Sequence, residues 1–89
     1  MQNIVVVLDG TEHTAALVAE LTSAGAQVTA IGQNFREVVA VMNHGVYPLV
    51  ADLADPEQWP IVVARVEARF GAVTEVIDPA DRLAARTAA

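Results

Sequence analysis

The chain has 89 residues, 54% of them hydrophobic, and its five basic against eleven acidic residues give a net charge of −6. This length predicts one domain, and the absence of cysteine excludes disulfides, thiolate metal sites and cysteine nucleophiles. The charge excludes the concentrated basic patch that nucleic acids and anionic membrane surfaces require, so we expect neither as a partner.

The mean hydropathy of +0.41 is high for a small soluble monomer. Either the core is rich in small alanine and valine, or a second chain covers apolar surface, and both can hold. The N-terminus carries no positive cluster, and the apolar run Ile4 to Leu8 is too short for a signal peptide or a membrane span. We therefore expect a cytoplasmic location.

The first unit reads as strand, glycine turn and helix. The continuous apolar run Ile4 to Leu8 is typical of a strand that is buried on both faces. Gly10 follows it, Thr11 can cap a helix, and Gly25 lies where a left-handed helix stop is expected. The apolar residues between them recur at helical spacing: Leu17, Val18, Leu21 and Ala24.

The second unit repeats this outline. Residues 28–32 predict a strand, Asn34 and Glu37 have the spacing of a capping box, and Gly45 ends the predicted helix. The predicted inner face of that helix consists of Phe35, Val38, Val39 and Met42.

The third unit opens with a strand over residues 47–52, in which Pro48 suits an edge position. Asp55 caps a short turn over residues 56–59, and the main helix is predicted over residues 60–70 because Pro60 would break an earlier one. The predicted inner face of this helix is Val62, Val63, Val66 and Phe70.

A fourth strand is predicted over residues 73–77, and residues 81–89 form a short helix or a frayed tail. Strands that alternate with helices predict a parallel sheet with right-handed crossovers. We therefore expect one Rossmann-like α/β domain over residues 1–80, a three-layer α/β/α partial domain with four parallel strands in the order 3-2-1-4.

Four segments resemble the N-terminal, cofactor-binding portion of the short-chain dehydrogenase/reductase family. They are Val5–Gly10, Leu21–Val28, Ala51–Asp55 and Ala68–Val73, in the family's order and spacing. The resemblance implies a Rossmann fold and an NAD(P) site. It also implies that the catalytic serine, tyrosine and lysine belong to later elements, which this sequence does not contain.

The sequence departs from the family at the glycine turn. The T-G-x-x-x-G-x-G motif becomes residues 9–16, in which only the first glycine, Gly10, remains, while Thr14 takes the place of the second and Ala16 that of the third. The second glycine lets the backbone approach the pyrophosphate, and Glu12 adds negative charge beside that position. Glu12 and Thr14 therefore disfavour NAD(P), and we expect no cofactor and no catalysis of the family's kind.

Three residues are candidates for ligand binding. Gly10 and Thr11 can form an anion site at the start of the first helix, or a plain turn and cap. The resemblance implies that Asp52 contacts an adenine edge; alternatively it is only the polar end of the third strand.

Histidines offer the other chemistry. Asp9 and His13 could approach each other around the turn as an acid–base or metal pair, whereas His44 lies near a helix end, where a cation meets the dipole favourably.

Four residues are interface candidates. Trp59 and Tyr47 could anchor a partner or form a lid over the sheet edge. Val73 and Val76 belong to the fourth strand, whose outer edge has no predicted neighbour and must be covered or paired.

Three functional hypotheses remain open. The chain is a non-catalytic binding or assembly protein, either a homodimer or an accessory to a larger enzyme whose partner covers residues 73–77. Alternatively, it binds a small ligand or nucleotide in the crevice near Gly10–Thr14. The third hypothesis is an enzyme of unfamiliar type.

Overall fold

The computed structural model describes residues 2–42 and 45–79. The predicted tail over residues 81–89 and His44 lie outside the described residues. Four strands alternate with three helices: β1 (Asn3–Val7), α1 (Glu12–Ser23), β2 (Gln27–Gly32), α2 (Phe35–Val39), β3 (Tyr47–Val50), α3 (Gln58–Phe70) and β4 (Glu75–Ile77). No helix in this part of the chain is long and apolar enough to cross a membrane.

The sheet is all parallel and has the order β3-β2-β1-β4, so the predicted α/β class and strand order are confirmed. Val5, in the central strand, is in register with Thr29 of β2 and Val76 of β4. Every residue of β1 is buried, which explains why its sequence is apolar without alternation.

Each face of the sheet carries its own apolar cluster. Val5 and Val7 pack with Val62 and Val66 of α3, whereas the alternate residues of β1 pack with α1 and α2 on the other face. Each fully buried valine contributes roughly 1.5–3 kcal/mol relative to exposure. The two clusters make the arrangement three-layered.

The predicted inner face of α2 is wrong in three of its four residues. Val38 is buried, together with Val41, which the prediction left out. Phe35, Val39 and Met42 are exposed, because α2 ends at Val39, well before Gly45, and covers the sheet with only one turn.

The start of α3 also differs from the prediction. The helix begins at Gln58 rather than at Pro60, so Trp59 belongs to it. Pro60 lies in the first turn, where its missing N–H would have had no partner within the helix. The Asp55 carboxylate accepts a hydrogen bond from the Glu57 N–H at 3.0 Å in the turn before it.

Candidate functional site

The β1–α1 turn is closed by the carboxylate of Asp9. Asp9 Oδ1 accepts hydrogen bonds from the Thr11 hydroxyl at 2.5 Å, the Thr11 N–H at 2.9 Å and the Thr14 hydroxyl at 2.9 Å. These donors, with the Thr11 hydroxyl first, lower the pKa of Asp9 to about 2. Asp9 is therefore ionised at neutral pH and holds the turn.

Thr14, in the first turn of α1, takes part in the same closure. It is only 1% exposed, and its hydroxyl lies 2.9 Å from Asp9 Oδ1 and 3.0 Å from the Thr11 carbonyl oxygen. Gly10, between them, has φ +82, a conformation that L side chains rarely adopt. The turn thus keeps the glycine that its backbone needs, while Thr14 links the helix back to Asp9.

The β2–α2 turn lies beside it. Asn34 Oδ1 accepts from the Glu37 N–H at 3.1 Å, as the capping spacing predicts, and Glu37 Oε1 accepts in return from the Gln33 N–H at 2.7 Å. Gly32 is required by contact, since a Cβ there would lie 2.8 Å from the Glu37 Cβ. The strand end and the first turn of α2 are therefore pressed together.

A crevice of about 330 Å³ lies between these turns, at the carboxyl ends of β1 and β2. Such a position at the carboxyl end of a parallel sheet is where α/β proteins bind ligands. The crevice is lined by Leu8, Gly10, Thr11, Glu12, Thr14, Ala15, Asn34, Arg36, Glu37, Ala40 and Val41.

Three charged side chains line the crevice, and Glu37 is the one that lies against the glycine turn. Its Oε2 lies 3.1 Å from the place where a Cβ of Gly10 would stand, so the carboxylate covers the glycine turn. Glu12 adds a second negative charge, against the single positive charge of Arg36. A phosphate at this turn would meet two carboxylates, which strengthens the electrostatic objection to a dinucleotide.

Sequence reasoning did not identify Gly32, Arg36 or Glu37 as residues of this site. The signal that could have found them is the capping pair, because a cap that directly follows a strand places its Glu37 at the sheet's carboxyl edge.

The structure brings Gly10 and Thr11 together in this crevice but leaves Asp52 outside its lining. The Asp52 carboxylate follows β3 and accepts a hydrogen bond from the Ala54 N–H at 3.0 Å. It therefore closes a turn of its own.

The structure does not support the acid–base or metal pair expected of Asp9 and His13. His13 is an exposed residue of α1 and does not line the crevice. Within residues 2–42 and 45–79, no three histidine, aspartate or glutamate side chains are grouped as a metal site requires.

The aromatic interface candidates are half-buried. The Tyr47 ring packs edge-on against Phe70 with 5.6 Å between centroids, and the Arg69 guanidinium carbon lies 4.8 Å from the Tyr47 centroid. Trp59 packs against the α3-side cluster. Val73 does so too, but it lies before the fourth strand rather than in it as predicted, because β4 begins at Glu75; Val76 of β4 is 39% exposed.

The two ends of the sheet present different backbone groups. At the end of β3, the Ala51 N–H donates to the Gly32 carbonyl of β2 at 3.0 Å. Because alternate residues of a strand bond to the same neighbour, the backbone N–H and C=O positions of Pro48 and Val50 point away from β2. Pro48 has no N–H to offer there, and the outer edge of β3 is blunted.

In β4, the backbone N–H and C=O of Val76 point away from β1. Leu8 bonds to β2, so the alternate residues Ile4 and Val6 also face β2 and Val5 faces β4. Val5 is in register with Val76 and therefore bonds to the residues on either side of it, Glu75 and Ile77. The outer edge of β4 is therefore short, but it retains an N–H donor.

No protein-family model and no curated protein matches this sequence.

Proposed function

We propose that this chain is a non-catalytic, Rossmann-like binding or assembly protein that acts as a homodimer or as an accessory to a larger enzyme. The observation that carries the proposal is the outer edge of β4, where Val76 offers its N–H, its carbonyl and a 39% exposed side chain. An edge of this kind accepts a partner strand.

The proposed ancestry is the cofactor-binding portion of the short-chain dehydrogenase/reductase family. The strand order and the positive φ of Gly10 support it. The proposal includes the loss of NAD(P) binding, because Thr14 is built into the turn and Glu37 covers Gly10.

Light scattering and thermal unfolding test this proposal together. We expect a stable dimer in light scattering and an unchanged melting temperature on adding NAD(H), NADP(H) or AMP. A monomer whose melting temperature rises with one of these nucleotides would contradict both the assembly function and the loss of the cofactor site.

A second candidate function is the binding of a small ligand in the crevice, and its volume of about 330 Å³ favours it. The lining carboxylates favour a ligand without phosphate, such as a nucleoside, over a nucleotide. Isothermal titration with adenosine and with AMP distinguishes a nucleoside site from a nucleotide site, because this candidate function predicts a heat of binding with adenosine alone. The absence of heat with both leaves the assembly proposal in place.

The enzyme hypothesis has the weakest support. Asp9 is occupied by three hydrogen bonds and has a low pKa, so it is a poor proton acceptor at neutral pH.

A further inference from the structure

The helix α2 and the turn that follows it expose three large apolar side chains. Phe35 is 66% exposed, Val39 46% and Met42 45%. Their spacing of four and three residues puts them in one row along the helix and the turn that follows it, which we call the α2 stripe. Val38 and Val41 are buried against the sheet, so the helix is apolar on two adjacent sides and its own domain uses only one.

The neighbouring strand β3 also exposes an apolar side chain. Val50 of β3 is 52% exposed, and α2 contacts β3. The outer backbone of β3 is blunted by Pro48, so a partner on this side must be held by side chains rather than by an added strand. A row of exposed apolar side chains marks such an interaction site.

We infer that the α2 stripe binds a second copy of this chain across a two-fold axis. The charge of this segment favours a second copy of the chain as the partner. The only charged residues from 33 to 42 are Arg36 and Glu37, which cancel, whereas the whole chain carries −6. Two acidic copies therefore meet no net charge along the stripe, whereas a basic partner would gain more from the rest of the surface, which carries the net charge of −6.

Symmetry supports the same occupant. A two-fold interface needs a patch that complements itself, and an apolar row meets this condition when two copies align antiparallel. Phe35 then packs against the partner's Met42, and Val39 lies near the axis. The chain's high hydropathy is explained in part by this covered surface.

The inference goes beyond the proposed function, because the α2 stripe and the β4 edge lie at opposite ends of the sheet. A dimer formed through α2 leaves both β4 edges available for a further partner.

The test compares two lysine variants by sedimentation velocity of the full chain. Val39→Lys places a charge in the stripe, and Ile61→Lys places the same charge on α3, at an apolar residue of similar exposure. Lysine near the end of α2 also suits the helix dipole, so folding should persist, and circular dichroism checks this. We expect Val39→Lys to weaken the dimer by roughly 100-fold or more and Ile61→Lys to leave it unchanged.

Other outcomes overturn the inference in different ways. A dimer that survives Val39→Lys but is lost on Val76→Lys is formed through β4, which excludes the α2 interface and keeps the proposed function. Loss of the dimer in both Val39→Lys and Ile61→Lys, or in neither, excludes a two-fold contact centred on α2. A wild-type monomer excludes the second copy altogether. If Val39→Lys does not fold, Phe35→Ser, at the most exposed position of the row, replaces it with the same expectations.

Discussion

The two ends of the sheet solve the problem of an open edge differently. At the β3 end, Pro48 removes a backbone donor, and Val50 and the α2 stripe expose apolar side chains. At the β4 end, Val76 keeps its N–H and is the one large apolar residue that β4 itself exposes. The comparison indicates that side-chain packing governs association at the α2–β3 end, and that strand pairing is possible only at the β4 end.

Proline substitutions at two adjacent residues of the β3 end should give the largest difference in the free energy of unfolding. Ala51→Pro removes the N–H that donates to Gly32 and should cost about 3 kcal/mol or more, whereas Val50→Pro removes an outward N–H and should cost less than about 1 kcal/mol. Urea unfolding measures both free energies. Equal costs would show that the backbone of β3 does not alternate as described.

The contact between Gly32 and α2 allows a test of whether the dimer depends on the position of the α2 stripe. Gly32→Ala should destabilise the fold by about 1–3 kcal/mol, because the new Cβ meets the Glu37 Cβ at 2.8 Å, and it should also weaken the dimer by displacing α2.

The matched control for this substitution is Gly25→Ala. Gly25 has φ +91 and no atom within 4 Å of a Cβ, so alanine should cost about 1–2 kcal/mol through backbone strain without affecting the dimer. If both variants weaken the dimer equally, dimer formation does not depend on the position of α2.

Asp9 provides a test that touches neither end of the sheet. Its pKa falls from 3.8 to about 2 on folding, so its stabilising effect is present above about pH 4 and is lost as the pH falls toward 2. Asp9→Asn should therefore lower the melting temperature at pH 7 by more than at pH 2.5, with the dimer intact. A difference from wild type that is independent of pH would contradict the role of the carboxylate.

The smallest effect is expected at the β3 end, where Arg69 stacks on Tyr47. Arg69→Met keeps the apolar stem but removes the cation, and it should cost about 0.5 kcal/mol in urea unfolding. A loss above about 1.5 kcal/mol would mean that Arg69 has a further structural role.

The fold was predictable because short apolar runs mark the strands, and glycines or caps mark the turns between them. Asn34 predicted the start of α2 correctly, since a cap acts locally. The exposed side of α2 was not predictable, because the helix is apolar on two sides and the spacing of those residues does not distinguish the side that packs on the sheet. Trp59 was misplaced outside α3 because the rule against proline in helices does not hold in the first turn.

The candidate site was predictable only in part. Gly10 and Thr11 follow β1 in the sequence, so their place at the sheet's carboxyl edge is local information. Glu37 reaches Gly10 from another unit, and its contact depends on how α2 packs. Asp52 was misleading because the polar residue that ends a strand closes a turn as readily as it binds a ligand.

Native mass spectrometry of the isolated wild-type protein tests the central claim most directly, since it reports oligomeric state and retained ligand together. We predict a species of twice the 9.4 kDa chain mass, with no additional small molecule. A monomer that carries one bound small molecule would contradict assembly as the function and assign the crevice instead.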